Sequence, residues 1–178
     1  FKIFKKEQII ISTDDLKIKR ICENYKLKIP FLRPKNLSGD KVGTTEVVNH
    51  ALDWFEKKFF LIDYVLIVYP TAIFLEEKDI KLAINRIKKE KNCDCIFSAT
   101  SFAHPIQRAF YLNSKKNVKM FRPMFNKIRS QDVKKSFHDA GQFYLCRSSI
   151  IRRKKELMNS NSKIIILPRY RCVDIDTL

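Results

Sequence analysis

Two carboxylates separated by one residue stand near the end of the chain, at Asp174 and Asp176. In an extended segment, residues two apart face the same way, so both acids can address one site while Ile175 packs oppositely. Paired hard oxygens suit a magnesium ion, which keeps several waters and shares the rest of its shell with substrate phosphates. The alternative for such a pair is two solvated acids near a chain end. A second cluster, His138-Asp139-Ala140-Gly141-Gln142-Phe143-Tyr144, sets an imidazole, a carboxylate and an amide beside an apolar run. An acid–base role for His138 is one reading, and a surface histidine next to an aspartate is the other. Arg108, Arg122 and Arg129 carry planar forks that pair with carboxylate or phosphate, which favours an anionic substrate.

These groups need a scaffold, and the apolar pattern predicts one. Tyr64 to Tyr69 is uninterruptedly apolar and stops at Pro70-Thr71, as a central strand covered on both faces would. Glu76 to Lys91 places Ile80, Ala83, Ile84 and Ile87 on one helical face, and Cys95 to Thr100 reads as another buried strand. Gln8 to Ser12 and Leu27 to Leu32 read as short strands, with a helix between them and a polar loop from Lys35 to Gly43. Thr44 or Thr45 caps a further helix with Val47, Val48, Ala51, Leu52 and Phe55 as its stripe. Gly141 to Leu145 is strand-like, Ser148 to Met158 helical, Ile164 to Leu167 β-branched, and Cys172 to Ile175 a last short strand. Alternation of this kind argues for one three-layer α/β domain over residues 1–178 with a mainly parallel sheet. Between Phe102 and Phe137 the alternation stops in favour of basic residues, aromatics and prolines, which marks a loop excursion or a small antiparallel insertion. In an open parallel sheet ligands gather at the C-terminal strand ends, where Thr13-Asp14-Asp15, Pro70-Thr71 and Ser98 to Phe102 fall. Asp14 is equally explained as an ordinary helix cap.

Composition narrows the partners. No window reaches the length of uncharged apolar sequence that a membrane helix requires, so no membrane role is expected. A net charge of +17 would attract any polyanion, but the excess is diffuse and no nucleic-acid-binding pattern accompanies it, so specific nucleic-acid binding is not expected. The five cysteines, Cys22, Cys93, Cys95, Cys146 and Cys172, are odd in number and mostly sit in apolar runs. They read as small structural hydrophobes in a reducing, cytoplasmic setting.

Taken in order, "IIISTDD" (Ile9 to Asp15), "FLRPKNLSGDKVGTT" (Phe31 to Thr45), "YPTAIFL" (Tyr69 to Leu75), "SFAHPIQRAF" (Ser101 to Phe110), "RSQD" (Arg129 to Asp132), "HDAGQFY" (His138 to Tyr144) and "LPRYRCVDIDT" (Leu167 to Thr177) resemble the CMP-sugar synthetases. The resemblance is to the cytidylyltransferases of nonulosonic acids, and within them to the branch that activates pseudaminic acid. Sialic-acid enzymes typically read Gln-Pro-Thr-Ser-Pro where this chain has Tyr69-Pro70-Thr71-Ala72. It implies a Rossmann-like nucleotidyltransferase fold in which a sugar hydroxyl attacks the α-phosphorus of CTP and pyrophosphate leaves. A sialic-acid or 3-deoxy-octulosonate synthetase keeps the same fold with another acceptor, and a non-catalytic basic binding protein is the alternative of a different class.

By the same resemblance, Asp174 and Asp176 are the magnesium ligands, and Arg33 and Thr44 stand near the cytosine and ribose. Gln107, Arg108, Arg129 and Gln142 are the sugar contacts, with Gln107 where sialic-acid enzymes often have a lysine. Residues 105–137 are the expected arm of a homodimer. Relatives open with a strand and a glycine- and basic-rich loop that grips the triphosphate. The sequence begins at Phe1, so the polypeptide as given is expected to be inactive without them.

Overall fold

The structure is a computed structural model that describes residues 3–27 and 29–173. Its centre is a four-stranded sheet of β1 (Tyr64–Val68), β2 (Cys95–Ser101), β5 (Phe137–Arg147) and β6 (Ser162–Ile166), in the order β1-β5-β2-β6. β1, β2 and β6 run one way, and β5 lies antiparallel between β1 and β2. Direction is not written into an apolar run, and the sequence alone left β5 unassigned in this respect.

Two helical layers cover the sheet. On one face α3 (Glu77–Lys89) sets Ala83 and Ile87 against Ile96, Phe143, Leu145 and Ile165. Its predicted stripe is the buried one, with Ile80, Ala83 and Ile87 each at most 1% exposed. On the other face Leu52 of α2 (Thr44–Lys58) and Ile151 of α4 (Ser148–Arg152) meet Ile67, Phe97, Ala99 and Tyr144. Alternate residues of β2 and β5 therefore feed opposite cores, the arrangement that the three-layer expectation requires. Among the described residues no helix is long and apolar enough to cross a membrane.

Several elements differ from expectation. Residues 8–12 form no strand, and the run 27–32 shows none among its described residues. These extended pieces meet through Arg33 N–H donating to Thr13 C=O at 2.8 Å, too little for a ladder. Between them α1 (Leu16–Asn24) is capped by Asp15, whose carboxylate accepts from Lys17 N–H at 2.5 Å. The helix predicted to reach Met158 stops at Arg152, because Lys154 takes a left-handed φ of 50° that no α-helix continues. The irregular segment holds a two-stranded hairpin, β3 (Phe110–Leu112) and β4 (Val118–Met120). It leaves the sheet after Ser101 and returns at Phe137, and those two residues are paired across β2 and β5. The last predicted strand, Cys172 to Ile175, lies partly outside the described residues, and its described part is not a strand.

The cysteine reading needs one correction. Cys95 and Cys146, read as separate thiols, are register partners on β2 and β5 with Cα atoms 4.1 Å apart, and they are joined as a disulfide. A separation of 51 residues hides that adjacency in the sequence. Cys22, Cys93 and Cys172 are free, and burial raises the Cys93 thiol above its ordinary pKa.

Candidate active site

β1, β2 and β6 all deliver their C-terminal ends to one edge of the sheet, where the polar motifs collect. The centre of that edge is a bulge in β5. Pairing with β2 runs Phe97↔Tyr144 and then jumps to Ala99↔Asp139, so residues 140–143 bow out of the ladder. One backbone conformation and two side groups hold the bow open. Gly141 takes φ +62°, a region that side-chain-bearing residues enter only with strain. The Asp139 carboxylate accepts from Gly141 N–H at 2.9 Å, and buried Ser98 Oγ accepts from Gln142 N–H and Phe143 N–H at 3.1 Å each. The motif His138 to Tyr144 is thus first of all a backbone device.

The bulge turns Gln142 inward. It is 2% exposed, and its amide nitrogen donates to the C=O of Arg171. Gln142, expected as a sugar contact, is thus buried in this structure. Its Oε1 has no hydrogen-bond partner among the described residues. Asp139 is also engaged, since Tyr144 O–H donates to it, and desolvation with that bond pushes the Tyr144 phenol far above its ordinary pKa. His138 Nδ1 lies 2.8 Å from Asp139 O, with its ring 4.8 Å from that of Phe102.

Arg33 and Thr44 are both tied down, Thr44 at this edge and Arg33 among the loops before α2. Arg33 donates to Asp14 at 2.6 Å and to Ser38 Oγ at 3.3 Å, and the bond from Arg33 holds the Asp14 carboxyl below the usual range. A lowered pKa makes this tie complete above the ordinary carboxylate range and lost only as pH falls through the lowered value. In an NMR titration Asp14 should turn over below the ordinary value of about 3.9, and Arg33→Gln should return it there. A midpoint unmoved by Arg33→Gln would remove the pairing. Thr44 Oγ1 lies 3.0 Å from Tyr69 O–H, and Tyr69 N–H donates to Gln142 C=O at 3.1 Å. Thr44, Tyr69 and the β5 bulge are therefore one connected unit.

Gln107, Arg108 and Arg129 come together at the base of the insertion. Gln107 Nε2 donates to Lys134 C=O at 2.9 Å and Ser136 Oγ at 2.8 Å, and Arg108 donates to Ser130 Oγ at 2.9 Å. Arg129 pairs with Asp132 at 2.8 Å while its side chain stays 73% exposed. Beside them is a cavity of about 200 Å³ lined by Phe102, His104, Pro105, Val133, Lys134 and Ser136 among others. Arg122 stands just before the short 3-10 helix Pro123–Lys127. Asp174 and Asp176 lie outside the described residues, and among the described residues no cluster of His, Cys, Asp or Glu is placed to hold a metal.

One buried charged residue near the predicted metal motif escaped the sequence reading. Arg171 is 4% exposed, and its guanidinium meets the carboxylate of Asp79, Glu76 Oε1 at 3.3 Å and the C=O of Phe74 at 3.0 and 3.1 Å. Two arginines, Arg169 and Arg171, in the otherwise apolar run "IIILPRYRCV" were the available signal.

The model of the cytidylyltransferase family matches residues 2–176. The chain belongs to that family. Among curated relatives, the pseudaminic acid cytidylyltransferase of Campylobacter jejuni is 37% identical over 172 residues, which is 97% of this chain and 74% of that one. The N-acylneuraminate cytidylyltransferase of Escherichia coli is 23% identical, over 96% of this chain and 39% of that one. Among solved structures, a CMP:2-keto-3-deoxy-manno-octonic acid synthetase complexed with CTP superposes with a TM-score of 0.59 at 11% identity, covering 89% of this chain and 71% of that one. At that identity the superposition speaks to the cytidylyltransferase fold alone, and the bulged antiparallel strand belongs to it in this chain.

Proposed function

We propose that this cytidylyltransferase transfers CMP from CTP to a nonulosonic acid, with pseudaminic acid as the acceptor, for surface or flagellar glycan synthesis. The observation that carries the reading is the 37% identity to a pseudaminic acid cytidylyltransferase, sustained over 97% of the chain. The anomeric hydroxyl oxygen of the acceptor bonds to the α-phosphorus and gives up its proton to solvent, the bond to the β-phosphate bridging oxygen breaks, and pyrophosphate leaves with that electron pair. Charge gathers on phosphate oxygens throughout, so the protein's part is chiefly positioning and fixed positive charge.

In this reading Arg33 and Thr44 hold the nucleoside, and Gln107, Arg108 and Arg129 address the sugar acid. Asp174 and Asp176 hold magnesium, which neutralises phosphate charge when bound. The buried Gln142 Oε1, unpartnered among the described residues, can accept a hydrogen bond from a metal-bound water, and this supports that assignment. A cytoplasmic setting is part of the proposal, since CTP is the donor, and the Cys95–Cys146 bond is the feature at odds with it. Pyrophosphate release with CTP against ATP, and with pseudaminic, sialic and 3-deoxy-octulosonic acids, tests the reading. Equal use of ATP would overturn the nucleotide, and preference for either other acid would move the acceptor.

The proposal includes a homodimer in which residues 105–137 reach over the neighbour's cleft. In support, Phe110, Leu112, Phe121 and Met124 on and beside the β3–β4 hairpin are at least 60% exposed. Arg129→Ala is then expected to raise KM for the sugar acid far more than KM for CTP, by the equivalent of about 2–5 kcal/mol. Mixing it with an Asp174→Asn protein should restore part of the activity, because shuffled dimers contain one intact site. A monomer by sedimentation, or no recovery after subunit exchange, would sink the shared site.

A further inference from the structure

The edge of the sheet opposite the candidate site carries an exposed apolar loop. Phe59, Phe60 and Leu61 lie between α2 and β1 and are 61%, 64% and 76% exposed. They extend an aromatic cluster. The Phe59 ring lies 5.0 Å from that of Phe55 and 6.0 Å from that of Trp54, and the Phe60 ring lies 5.4 Å from that of Phe55. Lys58 Nζ sits 4.9 Å from the centre of the Trp54 ring. The loop is held firmly to the body of the protein. The Ile62 carbonyl accepts from Ser148 O–H and, at 3.1 Å, from Arg152. Ile62 N–H donates to Glu56 at 3.1 Å, and Arg152 pairs with that same carboxylate.

Through Arg152 the basic run Arg153, Lys154 and Lys155 joins the loop, and these three are exposed, as are Lys57 and Lys58. The acids of the same two segments are Asp53, Glu56, Asp63 and Glu156, and Glu56 is already paired with Arg152. Large apolar side chains exposed side by side mark a surface that meets something other than water. This one lies in a loop, so it offers an incoming strand no ladder. Aromatic and aliphatic groups flanked by lysine and arginine suit the boundary of an anionic bilayer. Rings enter at the level of the upper acyl chains, while ammonium and guanidinium groups stay among the headgroups. The charge of +17 on the whole chain pulls the same way. No helix among the described residues is long enough to cross a membrane, and attachment to a membrane surface requires none. The expectation of no membrane role rested on the lack of a span alone.

We propose that Phe59, Phe60 and Leu61, with Lys57, Lys58, Arg153, Lys154 and Lys155, form a docking surface for an anionic lipid bilayer. Docked this way, the protein turns the C-terminal ends of β1, β2 and β6, and the candidate site with them, away from the membrane. The whole protein is mixed at physiological salt with vesicles of phosphatidylcholine and phosphatidylglycerol in equal parts, and with vesicles of phosphatidylcholine alone. Trp54 is the single tryptophan of the chain, so its fluorescence reports on this surface directly. The mixed vesicles should carry the protein into the pellet, blue-shift Trp54 emission and, when their acyl chains are brominated, quench it. Phosphatidylcholine alone should do none of these. Phe60→Ser with Leu61→Ser should weaken partition by about tenfold or more, and Lys154→Glu with Lys155→Glu by a similar factor, each with unchanged far-ultraviolet circular dichroism. Wild-type protein that stays in solution with the mixed vesicles overturns the proposal. So does a folded serine variant that partitions as well as wild type, since diffuse charge would then account for the binding. Self-association that the serine variant abolishes, without uptake by vesicles, would assign the surface to a second copy of the chain and overturn it as well. Should the serine variant fail to fold, quenching of Trp54 by brominated lipid in the wild-type protein decides.

Discussion

Asn in place of Asp174, or of Asp176, is expected to lower CMP transfer by roughly a hundredfold to a thousandfold while the protein stays folded. The change is nearly isosteric, so packing is left alone and only the negative charge is removed. What is lost is the ability to hold a cation against phosphate oxygens as charge builds on them. Single-turnover measurements at saturating CTP would separate this from weaker nucleotide binding, because an interaction made chiefly in the transition state lowers kcat and kcat/KM together. Wild-type turnover in both variants would remove the metal assignment while leaving family membership untouched.

The largest expected loss of stability belongs to a different carboxylate. Asp79→Ala strips Arg171 of its main counter-ion at a site 4% exposed, and breaking such a buried pair costs about 3–5 kcal/mol. The bond from Arg171 to Asp79 raises the guanidinium's already high pKa, so deprotonation offers no escape. Urea denaturation of Asp79→Ala against wild type measures the loss. The double variant Asp79→Leu, Arg171→Met should recover much of it, since no charge is then left uncompensated. A loss in Asp79→Ala below about 1 kcal/mol would mean that Glu76 and the Phe74 carbonyl suffice for Arg171.

Much of the scaffold was legible because it follows from period alone. The α3 stripe Ile80, Ala83 and Ile87 and a strand over Tyr64 to Val68 appear where the pattern puts them, but that strand lies at the edge of the described sheet, not at its centre, and is only partly buried. The direction of β5 was not legible, since the same apolar run serves a parallel or an antiparallel neighbour. Contacts between distant residues were equally hidden: Arg171 and Asp79 lie 92 apart in sequence, and nothing local in either announces the other. The clustering of Gln107, Arg108 and Arg129 could be anticipated from the motifs, whereas the inward turn of Gln142 depends on a bulge that Gly141, Asp139 and Ser98 create jointly. Short apolar runs such as residues 8–12 look like strands to any pattern, but an extended segment becomes a strand only when a neighbour supplies the ladder.

The two feet of the insertion, Ser101 and Phe137, stand side by side as register partners on adjacent strands. A segment anchored this way behaves as an exchangeable cassette: lengthening it costs only about 0.6 kcal/mol for each doubling of the loop. Residues between those feet can thus be lengthened or replaced without touching the bulge or the Arg171 turn, which the cassette does not carry.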